Sequence, residues 1–305
     1  MNIFSCIDNS NIEKIFILFY SCFKNCSNKE LLKFYILTED PVDSSLKIPE
    51  FLKDKLTIRQ LDKEYLKKTE WMSMINTFSE IFYHSGHSAN NIMNFSRFFI
   101  FQIFPEVDRF IYLDWDMIVN EDILKLNEFY NSDKLVAAKS DKIDFKTILG
   151  NIGYLNKEQY FYYDYLTNAN IFVAKPHLRN LVKSLVDKFN NIFLYITDKK
   201  NVASKPSFNA GFYIVSKNHF NEQNLLKIIN KLIEIQRNKK TFRFGTQIIM
   251  NLIAIDQIIL IDSKWNSKPT GESNNYIDHW AGLAKPWILK DPKWIKYYNE
   301  YKEIN

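Results

Sequence analysis

Two carboxylates, Asp114 and Asp116, stand one residue apart in the stretch Phe110-Ile-Tyr-Leu-Asp-Trp-Asp-Met-Ile-Val119. Held that close they repel each other, and burying them uncompensated costs several kcal/mol. A hard divalent cation removes that cost, and oxygen ligands suit Mg²⁺ or Mn²⁺. A solvated Asp-x-Asp in a turn fits the triplet equally well when it is taken alone. Arg97 is a second chemical signal, because it lies in a run whose apolar residues cover most of a helix circumference. A guanidinium buried there needs a carboxylate or an anionic ligand. Gly211, in Phe208-Asn-Ala-Gly211, is the third: it lets backbone approach a ligand closely.

The elements that must position these residues alternate between strand and helix. Phe110 to Leu113 is a short continuous apolar run of the kind found in buried parallel strands, which bind ligands beyond their carboxyl ends. Asp114 and Asp116 then share one side of the chain at a strand end. Upstream, Asn2 to Ile7 predicts a first strand, and Asp8-Asn9-Ser10-Asn11 supplies turn and N-cap chemistry. A helix follows with Ile12, Ile15, Phe16, Phe19, Tyr20 and Phe23 inward. Leu32 to Leu37 and Leu56 to Leu61 predict the next two strands, the opening of a doubly wound α/β sheet. Asn94 to Phe104 predicts a buried helix ended by Pro105. Leu135 to Ala138, the segment from Phe208, and Ile258 to Asp262 predict further strands. An amphipathic helix between the last two turns Leu225, Leu226, Ile229, Leu232 and Ile233 inward. The cluster Tyr160-Phe-Tyr-Tyr-Asp-Tyr165 is either a sugar platform or ordinary packing, and Asn168 to Ala174 nearly echoes Asn209 to Val215. His84-Ser-Gly-His87 has no third ligand nearby and reads as a loop over the cleft.

With 305 residues, the chain can bury one large core, and 46% hydrophobic and 16% aromatic content excludes global disorder. The net charge is +5, but lysines alternate with acids, which argues against a nucleic-acid binder. A mildly basic face suits anionic substrates or anionic lipid. The three cysteines, Cys6, Cys22 and Cys26, carry no zinc spacing and read as reduced, partly buried thiols of a cytosolic protein. No secretory leader is expected, and Ile15 to Phe23 falls short of the ~20 residues that span a bilayer. The expectation is a cytoplasmic protein, at most peripheral on the inner face of the cell membrane. The aromatic, basic tail from Trp287 to Tyr301 either lies on a membrane or acceptor or packs as a C-terminal helix.

The block from Arg97-Phe-Phe-Ile through Phe104-Pro-Glu-Val-Asp-Arg-Phe-Ile-Tyr-Leu-Asp-Trp-Asp-Met-Ile-Val119 resembles family 8 glycosyltransferases. Phe208-Asn-Ala-Gly211, Trp265-Asn266 and His279-Trp-Ala-Gly-Leu-Ala-Lys-Pro-Trp287 recur in that family's order. The resemblance implies a mixed, Rossmann-like sheet of the GT-A type over 1–286, with an insertion over 140–206 and a short tail over 287–305. It further implies retaining, metal-dependent transfer from a UDP-sugar to an oligosaccharide or glycolipid acceptor, in bacterial lipopolysaccharide or capsule synthesis. Asp114, Asp116 and His279 would hold Mn²⁺ or Mg²⁺, while Gly282 and Lys285 would lie on the phosphates. Asp8 and Asn9 would take the uracil, although Ile7 stands where some members have Asp. Arg97, Trp115, Asn209, Ala210 and Gly211 would line the donor, Asp141 would touch a sugar, and Gln247 would sit nearest the anomeric carbon.

One departure matters for specificity. Where members carry Asp-Gln-Asp, this chain has Thr246-Gln247-Ile248, which leaves room for an N-acetylhexosamine donor in place of a plain hexose. The same loss admits a catalytically weak, sugar-binding or regulatory relative. A sugar nucleotidyltransferase, which also uses metal-bound carboxylates, is the other alternative, but the chain lacks a Gly-rich phosphate loop.

Overall fold

The computed structural model describes residues 1–8, 11–68, 92–144, 206–219, 222–236, 246–269, 274–282 and 284–304, with isolated positions at 73, 184, 187, 191, 194 and 195. The chain opens with β1 (Asn2–Ile7), α1 (Ile12–Asn25), β2 (Lys33–Thr38) and β3 (Leu56–Gln60). Then come α2 (Lys63–Lys68), α3 (Ile92–Ser96), α4 (Ile100–Ile103), β4 (Arg109–Leu113) and β5 (Met117–Val119). The second half contains α5 (Asn127–Tyr130), β6 (Leu135–Asp144), β7 (Pro206–Ser216), α6 (Glu222–Gln236) and α7 (Gln247–Ala254). It closes with β8 (Ile258–Ile261), β9 (Ile277–His279), α8 (Pro286–Leu289) and α9 (Pro292–Glu303).

Seven strands form one sheet in the order β3-β2-β1-β4-β7-β6-β8, and β5 pairs with β9 in a second, two-stranded sheet. β3, β2, β1 and β4 run parallel, as do β6 and β8, whereas β7 runs against both β4 and β6. The sheet is therefore mixed, as the family resemblance implied. The chain winds outward from β1 to β3 and then returns to the other side of β1 as β4. That reversal leaves a crevice at the carboxyl ends of β1 and β4, where open α/β sheets bind ligands. Asp8 and Asp114 are the residues that immediately follow those two strands.

Strand alternation divides the apolar residues into two cores. Phe4, Tyr35, Phe110, Tyr112 and Tyr213 face the side covered by α3, α4, α6 and α7. Ile3, Phe34, Ile36, Ile111, Leu113 and Phe212 face α1, the small sheet and α9. Fully burying such a side chain contributes about 1.5–3 kcal/mol. Around Phe4, the rings of Tyr35, Phe104 and Phe110 lie 4.4, 5.0 and 4.8 Å away, which fixes α4 to the centre of the sheet. The three cysteines are free and buried, and burial pushes the Cys6 thiol up to about 11.

Two expectations need correction, and one open alternative is decided. The single helix expected from Asn94 to Phe104 is two short helices, α3 and α4, separated by a turn at Arg97–Phe99. Tight bonds from Phe98 N to Phe95 O (3.0 Å) and Phe99 N to Ser96 O (2.9 Å) break the helical ladder there. In α1, burial extends to Ile17, Leu18, Ser21 and Cys22, because α1 packs under both the sheet and α9, while Tyr20 and Phe23 are only half-buried. The tail is a packed helix: Asp291 caps α9 through Lys293 N and Trp294 N, and Trp294, Tyr297 and Tyr301 are buried. Asn25 of α1 donates to the Tyr297 hydroxyl at 2.8 Å.

Candidate functional site

β4 ends at Leu113, and the ladder with β7 continues one residue further, with Asp114 N donating to Gly211 O at 2.8 Å. The chain then turns through Trp115 and Asp116 into β5. Met117 of β5 pairs with His279 of β9, and Trp280 N donates to Asp116 O at 3.1 Å. A histidine from the far end of the sequence is thereby fixed beside the two carboxylates. Its Nε2 lies 3.4 Å from Asp116 Oδ1 and 3.8 Å from Asp114 Oδ2. One ligand atom from each of the three residues fits within 4.8 Å of the others. Asp116 and His279 are buried, whereas Asp114 is half-exposed at the mouth.

Two oxygens and one imidazole nitrogen form a donor set that suits a divalent cation. Two further observations support the fit. The other ring nitrogen of His279, Nδ1, is held by Asn266 Oδ1 at 2.7 Å, the outer contact that metal-binding histidines almost always make. Gly211 leaves the space: a Cβ there would lie 2.4 Å from His279 Cε1 and 2.8 Å from Asp114 Oδ2. The close approach expected of Gly211 is therefore to the site's own side chains.

Two cations flank the carboxylates. Lys285, at the start of α8, donates through Nζ to Asp116 Oδ2. Arg97, buried at the α3–α4 break, donates to Ala210 O at 2.8 Å and to Asn94 O at 3.0 Å, and reaches Asp114 Oδ1 at 3.5 Å. Its guanidinium also lies 4.5 Å over the Tyr112 ring. The expected buried partner of Arg97 is thus both a carboxylate and a carbonyl of the Asn209-Ala210-Gly211 segment. For Asp116, burial alone raises the carboxyl, but His279 and then Lys285 outweigh it and hold it below the ordinary range.

Gln247 begins α7, and its segment is tied to β7 by Asn251. The Asn251 amide accepts from Phe208 N at 2.9 Å and donates to Phe208 O at 2.9 Å and Gln247 O at 2.8 Å. Gln247 is 8% exposed, and among the described residues its buried Nε2 has no hydrogen-bond partner. A buried amide left without a partner is costly. Both neighbours of Gln247 are buried. Ile248 is fully buried in the core with Phe208 and Leu225, so its replacement of an acid opens no room beside a ligand. Thr246 is also buried and accepts Met250 N through its carbonyl.

Asp8 follows β1 at the crevice, and its carboxylate accepts from Asn11 Nδ2 at 2.9 Å, so it does serve the turn. Gly282 has φ 98, a left-handed backbone that glycine adopts without strain. Trp115 stacks on Trp287 at 4.7 Å, which ties the triplet to α8. Lys14, which sequence reasoning missed, sits 4.4 Å from the Trp287 ring centre and 5.2 Å from that of Trp115. Asn209 turns its Oδ1 onto Gly211 N at 2.9 Å and accepts Asn266 Nδ2 at its carbonyl, 3.1 Å. Asn9, His84, His87, the 160–174 segment and most of the 140–206 insertion lie outside the described residues. Asp141 belongs to β6, but its side chain is likewise outside them.

Comparison with known proteins adds to this geometry. A model of the family described as Glycosyl transferase family 8 matches residues 2–290. A probable galacturonosyltransferase-like 4 protein of Arabidopsis thaliana is 26% identical over 215 residues, 66% of this chain and 51% of that protein. The chain spans about half the length of the curated relatives it first matches. An active-site mutant of LgtC superposes with a TM-score of 0.60 at 12% identity, over 98% of this chain and 96% of that one. The galactosyltransferase LgtC in complex with donor and acceptor sugar analogs gives 0.57 at 12% identity, over 100% and 95%. At such identity the likeness to both is one of fold.

Proposed function

The chain belongs to glycosyl transferase family 8, and from that premise we propose that it moves a sugar from a UDP-sugar to an acceptor hydroxyl, with retention. The observation that carries this reading is the meeting of Asp114, Asp116 and His279 within 4.8 Å at the carboxyl end of β4. These three would hold the cation, and the mixed oxygen–nitrogen set favours Mn²⁺ over Mg²⁺. When bound, a divalent cation neutralises charge that builds on the departing diphosphate. Each unit-charge pair at ~4 Å is worth about 4 kcal/mol at an effective dielectric near 20, and about 1.36 kcal/mol is tenfold in rate.

The chain's own residues do the rest. Lys285 supplies a point charge beside Asp116, placed to meet a phosphate oxygen. Asp8 and Trp115 follow β1 and β4 at the same crevice. Arg97 holds the Ala210 carbonyl and so fixes the wall formed by Asn209 to Gly211. Retaining glycosidases use a carboxylate nucleophile with a second carboxyl group about 5 Å away. Gln247 is a poor nucleophile, which favours attack from the face the diphosphate leaves. In that geometry the acceptor hydroxyl gives its proton to a diphosphate oxygen, and the Gln247 carbonyl dipole stabilises the oxocarbenium-like sugar.

The acceptor we propose is a cell-surface glycan, an expectation that rests on the family resemblance, since the family includes bacterial lipopolysaccharide transferases. Contact with the inner face of a membrane is supported by Ile288 and Leu289, which are 67% and 55% exposed beside Lys290. Among the described residues no helix is long and apolar enough to cross a membrane. The test is a panel of UDP-hexoses, UDP-N-acetylhexosamines and UDP-galacturonic acid, assayed with Mn²⁺ for slow hydrolysis to UDP and free sugar. UDP release that chelator abolishes is the expected result. Donor binding without UDP release, release of UMP, or equal turnover in excess chelator would overturn the reading.

A further inference from the structure

We propose that Asn266 is a positioning residue that keeps the His279 proton on Nδ1, so that Nε2 faces Asp114 and Asp116 with its lone pair free. The inference rests on the metal reading given above, but its argument uses only hydrogen-bond chemistry. Asn266 Nδ2 lies 3.1 Å from the Asn209 carbonyl oxygen and 3.4 Å from Asn209 Oδ1. A backbone carbonyl can only accept, so the amide nitrogen must stand on that side. Asn266 Oδ1 is then the atom 2.7 Å from His279 Nδ1. An amide oxygen also only accepts, so Nδ1 must carry the hydrogen. In a neutral imidazole that leaves Nε2 bare.

The opposite pull is visible in the same site. Nε2 stands 3.4 Å from Asp116 Oδ1 and 3.8 Å from Asp114 Oδ2, and two carboxylates draw a proton toward themselves. Left alone with them, the ring would place its hydrogen on Nε2 and could not ligate through that atom. Asn266 decides the competition from the far side of the ring. The surrounding bonds keep it in place. His279 N donates to Ser267 O at 2.9 Å, so the amide and the ring sit on linked backbone segments. Asp262 caps the turn that ends at Asn266 through Lys264 N at 2.9 Å, and Asn209 Oδ1 is itself occupied by Gly211 N at 2.9 Å. His279 is buried, so water does not compete for its ring.

The experiment reads the tautomer and metal affinity separately. Two-bond proton–nitrogen NMR on the histidine-labelled, metal-free protein at pH ~8.5, where an ordinary imidazole is neutral, reports which His279 nitrogen is protonated. The wild type should show Nδ1–H. Asn266→Ala should move the hydrogen to Nε2 and weaken Mn²⁺ binding, measured by electron paramagnetic resonance, by about 10–100-fold. Asn266→Asp, whose carboxylate still accepts from Nδ1–H but loses the donor to the Asn209 carbonyl, should keep the tautomer and recover part of the affinity. Asn266→Ser, too short to reach Nδ1, repeats the Asn266→Ala test if that variant fails to fold. A wild-type ring protonated on Nε2 would overturn the proposal. So would an Asn266→Ala or Asn266→Ser protein that keeps both the Nδ1–H form and its Mn²⁺ affinity, or that changes tautomer without losing affinity. If the wild type bound no Mn²⁺, the metal reading would fall, while the metal-free spectrum would still decide what Asn266 does.

Discussion

Replacing Gly211 with alanine should damage the site through a single methyl group. The new Cβ would lie 2.4 Å from His279 Cε1, 2.8 Å from Asp114 Oδ2 and 3.0 Å from Asn209 Oδ1. Carbon atoms pack best at about 3.5–4.0 Å, so the imidazole must retreat by roughly 1 Å or more. Asp114 can swing outward because it is half-exposed, but His279 cannot. Its backbone is paired with Met117 and Ser267, and its ring is held by Asn266. Overpacking of this kind costs about 1–3 kcal/mol, which corresponds to a melting point a few degrees lower. Metal sites tolerate about 0.2 Å of ligand error, so Mn²⁺ affinity should fall by at least about tenfold. The decisive assay is a double-mutant cycle with His279→Ala, read by thermal melting in chelator. Deleting the imidazole removes the closest clash, so Gly211→Ala should cost much less stability in that background. An equal cost in both backgrounds, or unchanged Mn²⁺ affinity in Gly211→Ala alone, would refute the packing argument.

Two further outcomes follow from single contacts. Asp116 has its carboxyl held below the ordinary value by His279 and then Lys285, in spite of burial. A depressed folded-state value contributes stability above the unfolded pKa of about 3.9 and loses it as pH falls through the folded value. In chelator, Asp116→Asn should therefore be less stable than wild type above pH ~5, with the gap closing in acid. A gap that widens in acid would contradict the sign. Asn251→Leu strips the side-chain partners from Phe208 N and Phe208 O, both at 2.9 Å in the wild type. At about 1–3 kcal/mol for each unpaired buried group, partly relieved by water, the loss should be of order 3 kcal/mol in denaturant unfolding. A loss under about 0.5 kcal/mol would show that the amide clamp is not structural.

The legible parts of the fold were those written in continuous apolar runs. β1 spans the residues that its sequence indicated, and β4 delivers Asp114 at the strand end because Phe110 to Leu113 has nowhere to go but the interior. The turn after α3 was hidden, because its cause is tertiary. At that turn the Arg97 guanidinium reaches the Ala210 carbonyl, which lies far away in sequence. Periodicity cannot register a bond of that range. Asn266 and Asn251 were hidden for a related reason. A carboxamide has no hydrophobic pattern, and its task is defined only when the groups around it are known. His279 stood out through resemblance alone, since one histidine near the end of a chain carries no spacing signal. Its placement depends on three residues of β5 pairing with three of β9.

The segment around Gln247 shows why a legible substitution can carry the wrong reason. Thr246 and Ile248 were visible as missing acids, and the natural inference was a widened sugar pocket. Residues four apart share a helix face, so Gln247 and Asn251 stand together on the side that meets β7. Ile248 and Leu252 share another face and lie in the apolar core. An acid at 248 would therefore be buried among Phe208, Leu225 and Ile249, not set beside a sugar. Isoleucine at this position is what the packing of α7 demands, and it says nothing about the donor. Thr246 is different, because it immediately precedes the orphaned Gln247 amide and closes the turn into α7.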